Sequence, residues 1–290
     1  MDAGAYSNHI REVDEIMLRS LYSGVSGMRG FQTKLDVIGN NIANVNTTGF
    51  KAGRVMFKDI LSQSMSGVTA PVEGTQGGVN AKQIGLGVTV AAIDTVHTAG
   101  SAQTTNVPTD VRLDGDGFFV VSPTGSSDNA YLTRAGNFNV DANGYLVNAD
   151  GQYVLSADGD AIQIDPTTVT AFTISQDGSI LPVDANGNTG DAIAQIGVAK
   201  VVNPGGLEKV GGNLYRMTPN ANPDGELDLG AASDEERGTG AIISGQLEMS
   251  NVDLTNEFTE MIVAQRGFQA NSRIITTSDS ILEEVVNLKR

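Results

Sequence analysis

SNVDLTNEFTEMIVAQRGFQANSRIITTSDSILEEVVNLKR, residues 250–290, holds no proline and a single glycine, Gly267. Leu254, Met261, Phe268, Ile275 and Leu282 recur every seven residues. Beside them run Phe258, the polar Gln265, Ser272 and Asp279, then Val286. Positions seven apart share one stripe of a helix, so the spacing predicts a long helix with a coiled-coil seam. Asn251 or Asp253 is placed to cap its start, and Lys289 and Arg290 suit its negative end. At 1.5 Å per residue it would extend roughly 55 Å. Ile274, Ile281, Val285 and Leu288 widen the apolar face beyond what one partner covers. Too thinly apolar to stand alone, this helix calls for partners.

The other end carries a matching pattern. Leu21, Met28, Leu35 and Ile42 are spaced by seven, with Gly24, Phe31, Ile38 and Val45 three residues on. A helix is expected from Leu18 to about Asn46, capped by Ser20 or Ser23. Gly24, Gly27, Gly30 and Gly39 each lower its helicity by roughly 1 kcal/mol relative to Ala, which reads as close packing against neighbours. Two seam helices at opposite ends of one chain are expected to pair with each other. Residues 1–16 have four acidic residues against one arginine and little apolar pattern, and read as an upstream extension from an early start codon.

Between these ends the composition changes. Residues 51–87 read as a connector, rich in Gly, Ser, Thr and Pro from Ser62 to Gly78. Residues 88–240 read as a β-rich domain with an acidic exit loop, its short apolar runs separated by Asp116-Gly117, Asn143-Gly144, Asp150-Gly151, Asp158-Gly159, Asp177-Gly178 and Asn186-Gly187. Strands are expected at Phe118 to Val121, Tyr145 to Val147, Val154-Leu155, Phe172 to Ile174 and Ile193 to Val202. The fold class is therefore α+β: a coiled-coil pair of terminal helices, 17–50 and 241–290, with a mostly antiparallel β domain inserted.

A net charge of −16 argues against nucleic acid as a partner. There is no cysteine, hence no disulfide and no thiolate metal site. No run of apolar residues is long enough to span a membrane, and no cleavable secretory signal is visible, which leaves the cytosol or an export route that reads no such signal. Asp114-Gly115-Asp116-Gly117 and Asp141 to Gly144 lack the closing Glu of a calcium loop and read as hairpin turns. The glycine-rich Gly205 to Gly212 lacks the Gly-Lys-Ser/Thr of a phosphate loop. His9 and His97 are far apart, and His97 reads as a solvated strand residue rather than a base. No catalytic, cofactor-binding or metal-binding residue, and no small-molecule substrate, is indicated.

LDVIGNNIANVNTTGFK, residues 35–51, resembles the N-terminal signature of the bacterial flagellar axial proteins, the rod and hook family. The run from Leu247 to Arg290 resembles the matching C-terminal signature. Asn40, Asn41, Asn44, Gly49, Phe50, Ser250, Asn251, Gln265 and Arg266 carry the likeness, which is sharp at both ends and looser between Leu61 and Arg237. It implies paired terminal helices in an inner tube, an outer β domain and helical self-polymerisation. It further implies export without a cleaved signal through the flagellar type III apparatus to the hook or basal body outside the membrane. The implied partners are copies of itself and other axial proteins: the rod, the hook–filament junction and the hook cap. MSNVDLTNEFTEMIVAQRGFQANS and the ending VVNLKR look closer to hook than to rod members, so a hook subunit that transmits torque is the first expectation. A distal rod subunit comes second, favoured by the short middle. From another class, an extracellular β module that binds carbohydrate or protein would be indifferent to loss of its ends.

Overall fold

In a computed structural model of the chain, residues 3–71, 77–165, 169, 171–183, 189–223, 225 and 227–288 are described, with side chains in the first helix from Leu18 onward. Val285, Leu288, Lys289, Arg290 and the Asn186-Gly187 turn, named above, lie outside the residues so described. The chain divides into two units. One comprises Met1–Ile42, Gly53–Asp94 and Leu254–Arg290; the other comprises Ala43–Ala52 and Thr95–Asp253.

The first unit is built on two helices, α1 (Ala3–Ala43) and α2 (Leu254–Leu288). α1 starts well before the expected Leu18, because residues 3–17 contain no proline and several good helix formers, and a helix does not require an apolar stripe. Ser20 and Ser23 are thus interior, not caps. The Ser20 hydroxyl instead lies 3.4 Å from that of Ser278. α1 stops at Ala43, where the backbone turns and Thr47 N–H reaches the Asn44 carbonyl at 3.1 Å.

Much of the expected connector, residues 51–87, is strand. Gly53–Asp59 pairs with Val88–Thr95, and Ser62–Ser66 pairs antiparallel with Lys82–Gly85. The polar composition of the second ribbon misleads, since strand pairing runs through backbone groups and needs no apolar side chain. That ribbon is exposed along its whole length.

The second unit is the β-rich one; beside Ala43–Ala52 it takes in Thr95–Asp253, where residues 88–240 were expected. Its nine-stranded sheet is centred on Phe118–Ser122, every residue of which is buried. This strand pairs antiparallel with Tyr131–Thr133, Tyr153–Val154 and Val198–Ala199. Its side chains alternate between two cores: Phe119 and Val121 pack with Leu113, Phe138 and Ile196, while Phe118 and Val120 pack with Leu132 and Tyr215. A strand covered on both faces reads as an unbroken apolar run, which is what Phe-Phe-Val-Val spells.

Residues 241–253 do not belong to the terminal helix. Ala241–Ser244 pairs with Val111–Asp114, and Gln246–Glu248 pairs with Ala102–Thr104. Burial of Ile242 in the core holds this segment in the sheet. The Asn143-Gly144 and Asp177-Gly178 turns join paired strands, with glycine φ of 84° and 83°. Asp114 to Gly117 is no hairpin, because the strands it links, Val111–Asp114 and Phe118–Ser122, lie in different sheets.

Candidate assembly interface

The residues of the two terminal signatures divide between the two units. In the second unit Lys51 and Glu248 meet: Nζ is 2.5 Å from Oε1, with side chains 0 % and 1 % exposed. Arg134 Nη1 lies 3.3 Å from the other oxygen, Oε2. The Lys51 ammonium also donates to the Thr98 carbonyl at 2.7 Å, and Arg134 Nη2 to that of Gly115 at 2.7 Å. Gly100 N–H completes the carboxylate's partners at 3.0 Å. Two cations therefore share one buried carboxylate. Burial lowers the pKa of Lys51 and of Arg134, and Glu248 opposes the shift in both.

Gly49 and Phe50 support the same place. Gly49 has φ +69°, its N–H donates to the Glu248 carbonyl at 2.8 Å, and a Cβ there would lie 2.5 Å from Ala135 N. Phe50 is buried, with Lys209 Nζ 4.9 Å from its ring centroid. Asn251 is not the cap of α2. Its Oδ1 accepts from Ala52 N–H at 2.8 Å, and its Nδ2 donates to the Val96 carbonyl at 2.8 Å. Ser250 is buried and its hydroxyl accepts from Val252 N–H at 3.3 Å.

His97 is half-buried, not a solvated strand residue. Its ring packs 5.7 Å from that of Phe118 and 5.5 Å from that of Tyr215. Burial first, then the charges of Lys51, Lys209 and Arg134, push its pKa down to about 4. Burial raises the Tyr215 phenol to about 12.

In the first unit Asn41 is the buried signature residue. Its amide closes a two-way clamp on Gly53, accepting from N–H and donating to C=O at 2.9 Å each, and Nδ2 also donates to Glu257 Oε1 at 3.0 Å. From there α1 and α2 run antiparallel. Lys34 pairs with Glu260, and a Cβ on Gly267 would lie 2.6 Å from Phe31 Cζ. A Cβ on Gly27 would lie 2.6 Å from Asn271 Nδ2, and one on Gly24 would lie 3.4 Å from Ile275 Cγ1. Small residues let the helices approach closely at Gly24 and Gly27, whereas Gly30 lies against Phe57 and Gly39 has no neighbour within 4 Å of a Cβ.

Leu21, Met28, Leu35 and Ile42 are each half-buried, as are Met261, Ile275 and Leu282. Leu254, Phe258 and Phe268 are exposed. So are Gln265, Arg266, Asp279, Val286 and Asn40, while Ser272 is half-buried. The row of α2 that faces α1 beside Met261 and Ile275 is instead Glu257, Ala264, Asn271 and Ser278. Val263, Ile274 and Ile281 fall on one outer stripe, 11 and 7 residues apart, and are exposed. Asn44 Oδ1 accepts from the Thr47 hydroxyl at 3.1 Å, closing the turn after α1.

The flagellar basal-body rod protein FlgG of Bacillus subtilis (strain 168) is 55 % identical over 274 residues, spanning 94 % of this chain and 100 % of that protein. The chain belongs to the flagellar rod and hook protein family. These are structural proteins of the flagellum. Three family descriptions match successive parts of it: "Flagella basal body rod protein" at residues 21–51, "Flagellar hook protein FlgE/F/G D1 domain" at 112–181 and "Flagellar basal body rod FlgEFG protein C-terminal" at 243–288. Two rod and hook relatives from one organism, Borreliella burgdorferi, separate the branches. Its rod protein FlgG is 36 % identical over 275 residues and its hook protein FlgE 30 % over 451, each alignment spanning 94 % of this chain and 100 % of the relative.

Sequence reasoning quoted the rod and hook signatures but passed over Lys51, Arg134 and Glu248. The available signal was a lone Lys directly after Gly49-Phe50 and a lone Glu in Leu247 to Ser250, charges within runs otherwise polar-neutral or apolar. Their pairing spans 197 residues and has no periodic trace.

Proposed function

We propose that this chain is a subunit of the flagellar rod, at its distal part, which polymerises helically with copies of itself and with other axial proteins. The observation that carries the choice of rod over hook is the full-length, nearly gap-free likeness to the Bacillus rod protein at 55 % identity over 274 residues. Hook relatives at 30 % align over 451 and 473 positions and so carry long insertions that this chain lacks. The closeness of VVNLKR to hook endings weighs less, because it is a short stretch against the whole length. The hook reading is the weaker of the two.

In this reading α1 and α2 pair as a coiled coil in the inner part of the polymer. The outer stripe Val263, Ile274 and Ile281, with Phe258 and Phe268, packs against neighbouring subunits, and the exposed ribbon of Ser62–Ser66 and Lys82–Gly85 is covered there too. A lone two-stranded ribbon is marginal in water, which favours such a cover. The subunit travels through the flagellar export apparatus without a cleaved signal, and the finished rod carries torque toward the hook and filament. Deletion of the gene followed by electron microscopy of basal bodies tests the assignment. Rods cut short at the distal end are expected. Complete rods lacking only the hook would return the hook reading, and normal filaments would overturn both.

A further inference from the structure

A cleft of about 400 Å³ opens in the β-rich unit, with His97, Asp116, Phe118, Arg134, Lys200 and Pro204 in its walls. Nothing in the assembly reading uses it. Arg134 is only 5 % exposed, and its Nε–H has no hydrogen-bond partner among the described residues. The buried Nδ1 of His97 is likewise unpartnered among them. A buried N–H is seldom left orphaned, so each such group points to something that fills the space. Lys200 also stands in the wall with no ion pair among the described residues.

The chemistry of the walls narrows the occupant. The neighbourhood gathers Lys51, Arg134, Lys200 and Lys209 against Glu248 and Asp116, a positive excess within a chain of net charge −16. That favours an anion. Yet two groups present acceptors rather than donors. Asp116 is one. The other is His97: burial keeps its ring neutral at pH 7, and a neutral imidazole can offer the unpartnered Nδ1 as an acceptor. An anion that suits both sets must accept from Arg134 and Lys200 and also donate a hydrogen.

We propose that this cleft binds a phosphate group bearing a P–OH, either free hydrogen phosphate or a phosphate monoester in its monoanionic form. Its charged oxygens accept from Arg134 Nε–H and Lys200, and its hydroxyl donates to His97 Nδ1 or Asp116. Sulfate, fully ionised at neutral pH, has no hydrogen to give and meets Asp116 with repulsion. Occupancy ties the strand Phe118–Ser122 side of the sheet to the Lys51–Glu248–Arg134 cluster, so the ligand stabilises the folded unit by mass action.

The full-length chain, titrated with sodium phosphate, sodium sulfate and glycerol phosphate at matched ionic strength and pH 7, tests this. The readouts are the His97 imidazole NMR signals and the thermal midpoint. Phosphate is expected to shift both saturably and sulfate to leave them unchanged. Lys200→Gln removes a charge that makes no ion pair among the described residues and is expected to weaken binding by roughly tenfold, as loss of one close charge does. Equal saturation by the ester identifies a phosphorylated compound as the ligand, and saturation by free phosphate alone identifies the inorganic ion. Shifts that never saturate, equal binding of sulfate, or indifference to Lys200→Gln would overturn the proposal and leave water as the occupant.

Discussion

Glu248 Oε1 lies 2.5 Å from Lys51 Nζ across 197 residues of chain, and both side chains are removed from solvent. The last residue of the first signature thus holds the second residue of the other. Arg134, drawn from the middle of the sequence, contacts the same carboxylate. Because two cations depend on one anion, the three positions are not equivalent.

Glu248→Gln strands two buried cations, whereas Lys51→Met leaves Glu248 its contact with Arg134. Each is expected to destabilise the β-rich unit, with Lys51→Met costing about 3–5 kcal/mol and Glu248→Gln more. Urea denaturation of the full chain, followed by Tyr fluorescence, measures the order. The reverse order would mean that Arg134 carries little of the pairing.

Gly49→Ala forces a side chain into φ +69° with its Cβ 2.5 Å from the Ala135 nitrogen. A loss of about 2 kcal/mol or more is expected from strain and clash together. Asn at the same position relieves the backbone but not the contact, so a Gly49→Asn protein as stable as the parent would show that the clash is readily absorbed.

Gly267→Val tests the helix pair. Its Cβ falls 2.6 Å from Phe31 Cζ, so the Phe31 ring is displaced and the close packing of α1 on α2 is disturbed. Polymers seen by electron microscopy should disappear, while the thermal transition of the β-rich unit stays where it was. Intact polymers from this variant would mean that the pairing of α1 with α2 is dispensable for assembly.

The position of His97 gives a pH dependence with a definite sign. Its folded pKa, about 4, lies below the ordinary value of 6.5, so the unfolded chain binds the proton first. Stability is full above pH 6.5 and falls as pH drops toward about 4, below which both states are protonated and this contribution stops changing. His97→Gln should flatten that part of the profile in a series of thermal midpoints. A parallel profile in the variant would assign the loss to carboxylates instead.

The helices were legible because a seven-residue spacing survives in Leu21, Met28, Leu35 and Ile42 and in Met261, Ile275 and Leu282. The facing row of α2 was misread for a physical reason. Among Glu257, Ala264, Asn271 and Ser278 only the small Ala264 is apolar, and small or hydrogen-bonding residues are what a glycine-lined helix admits at close range. Gln265 and Asp279, which looked like polar breaks in the seam, are exposed. The central strand was legible from Phe118 to Val121, since burial on both faces leaves only apolar letters. The ribbon at Ser62–Ser66 was not, because its backbone pairing leaves no trace in Ser and Gln. The ionic cluster was invisible because long-range pairing has no local pattern.

Three passages of chain are fastened at one point: Ala52 N–H to Asn251 Oδ1, Asn251 Nδ2 to the Val96 carbonyl, and Val96 N–H to the Ala52 carbonyl, all at 2.8 Å. A loop closed at its base in this way behaves as a cassette, since its length can change without disturbing where the chain enters and leaves. Loop-closure entropy grows only slowly with length, so such growth costs little once the base is fixed. The hook relatives align over 451 and 473 positions, well beyond the 290 of this chain, so added length is tolerated in the family. One consequence follows for engineering: a folded domain grafted into a turn such as Asn143-Gly144 enlarges the cassette and leaves the signatures at both ends free to do their work.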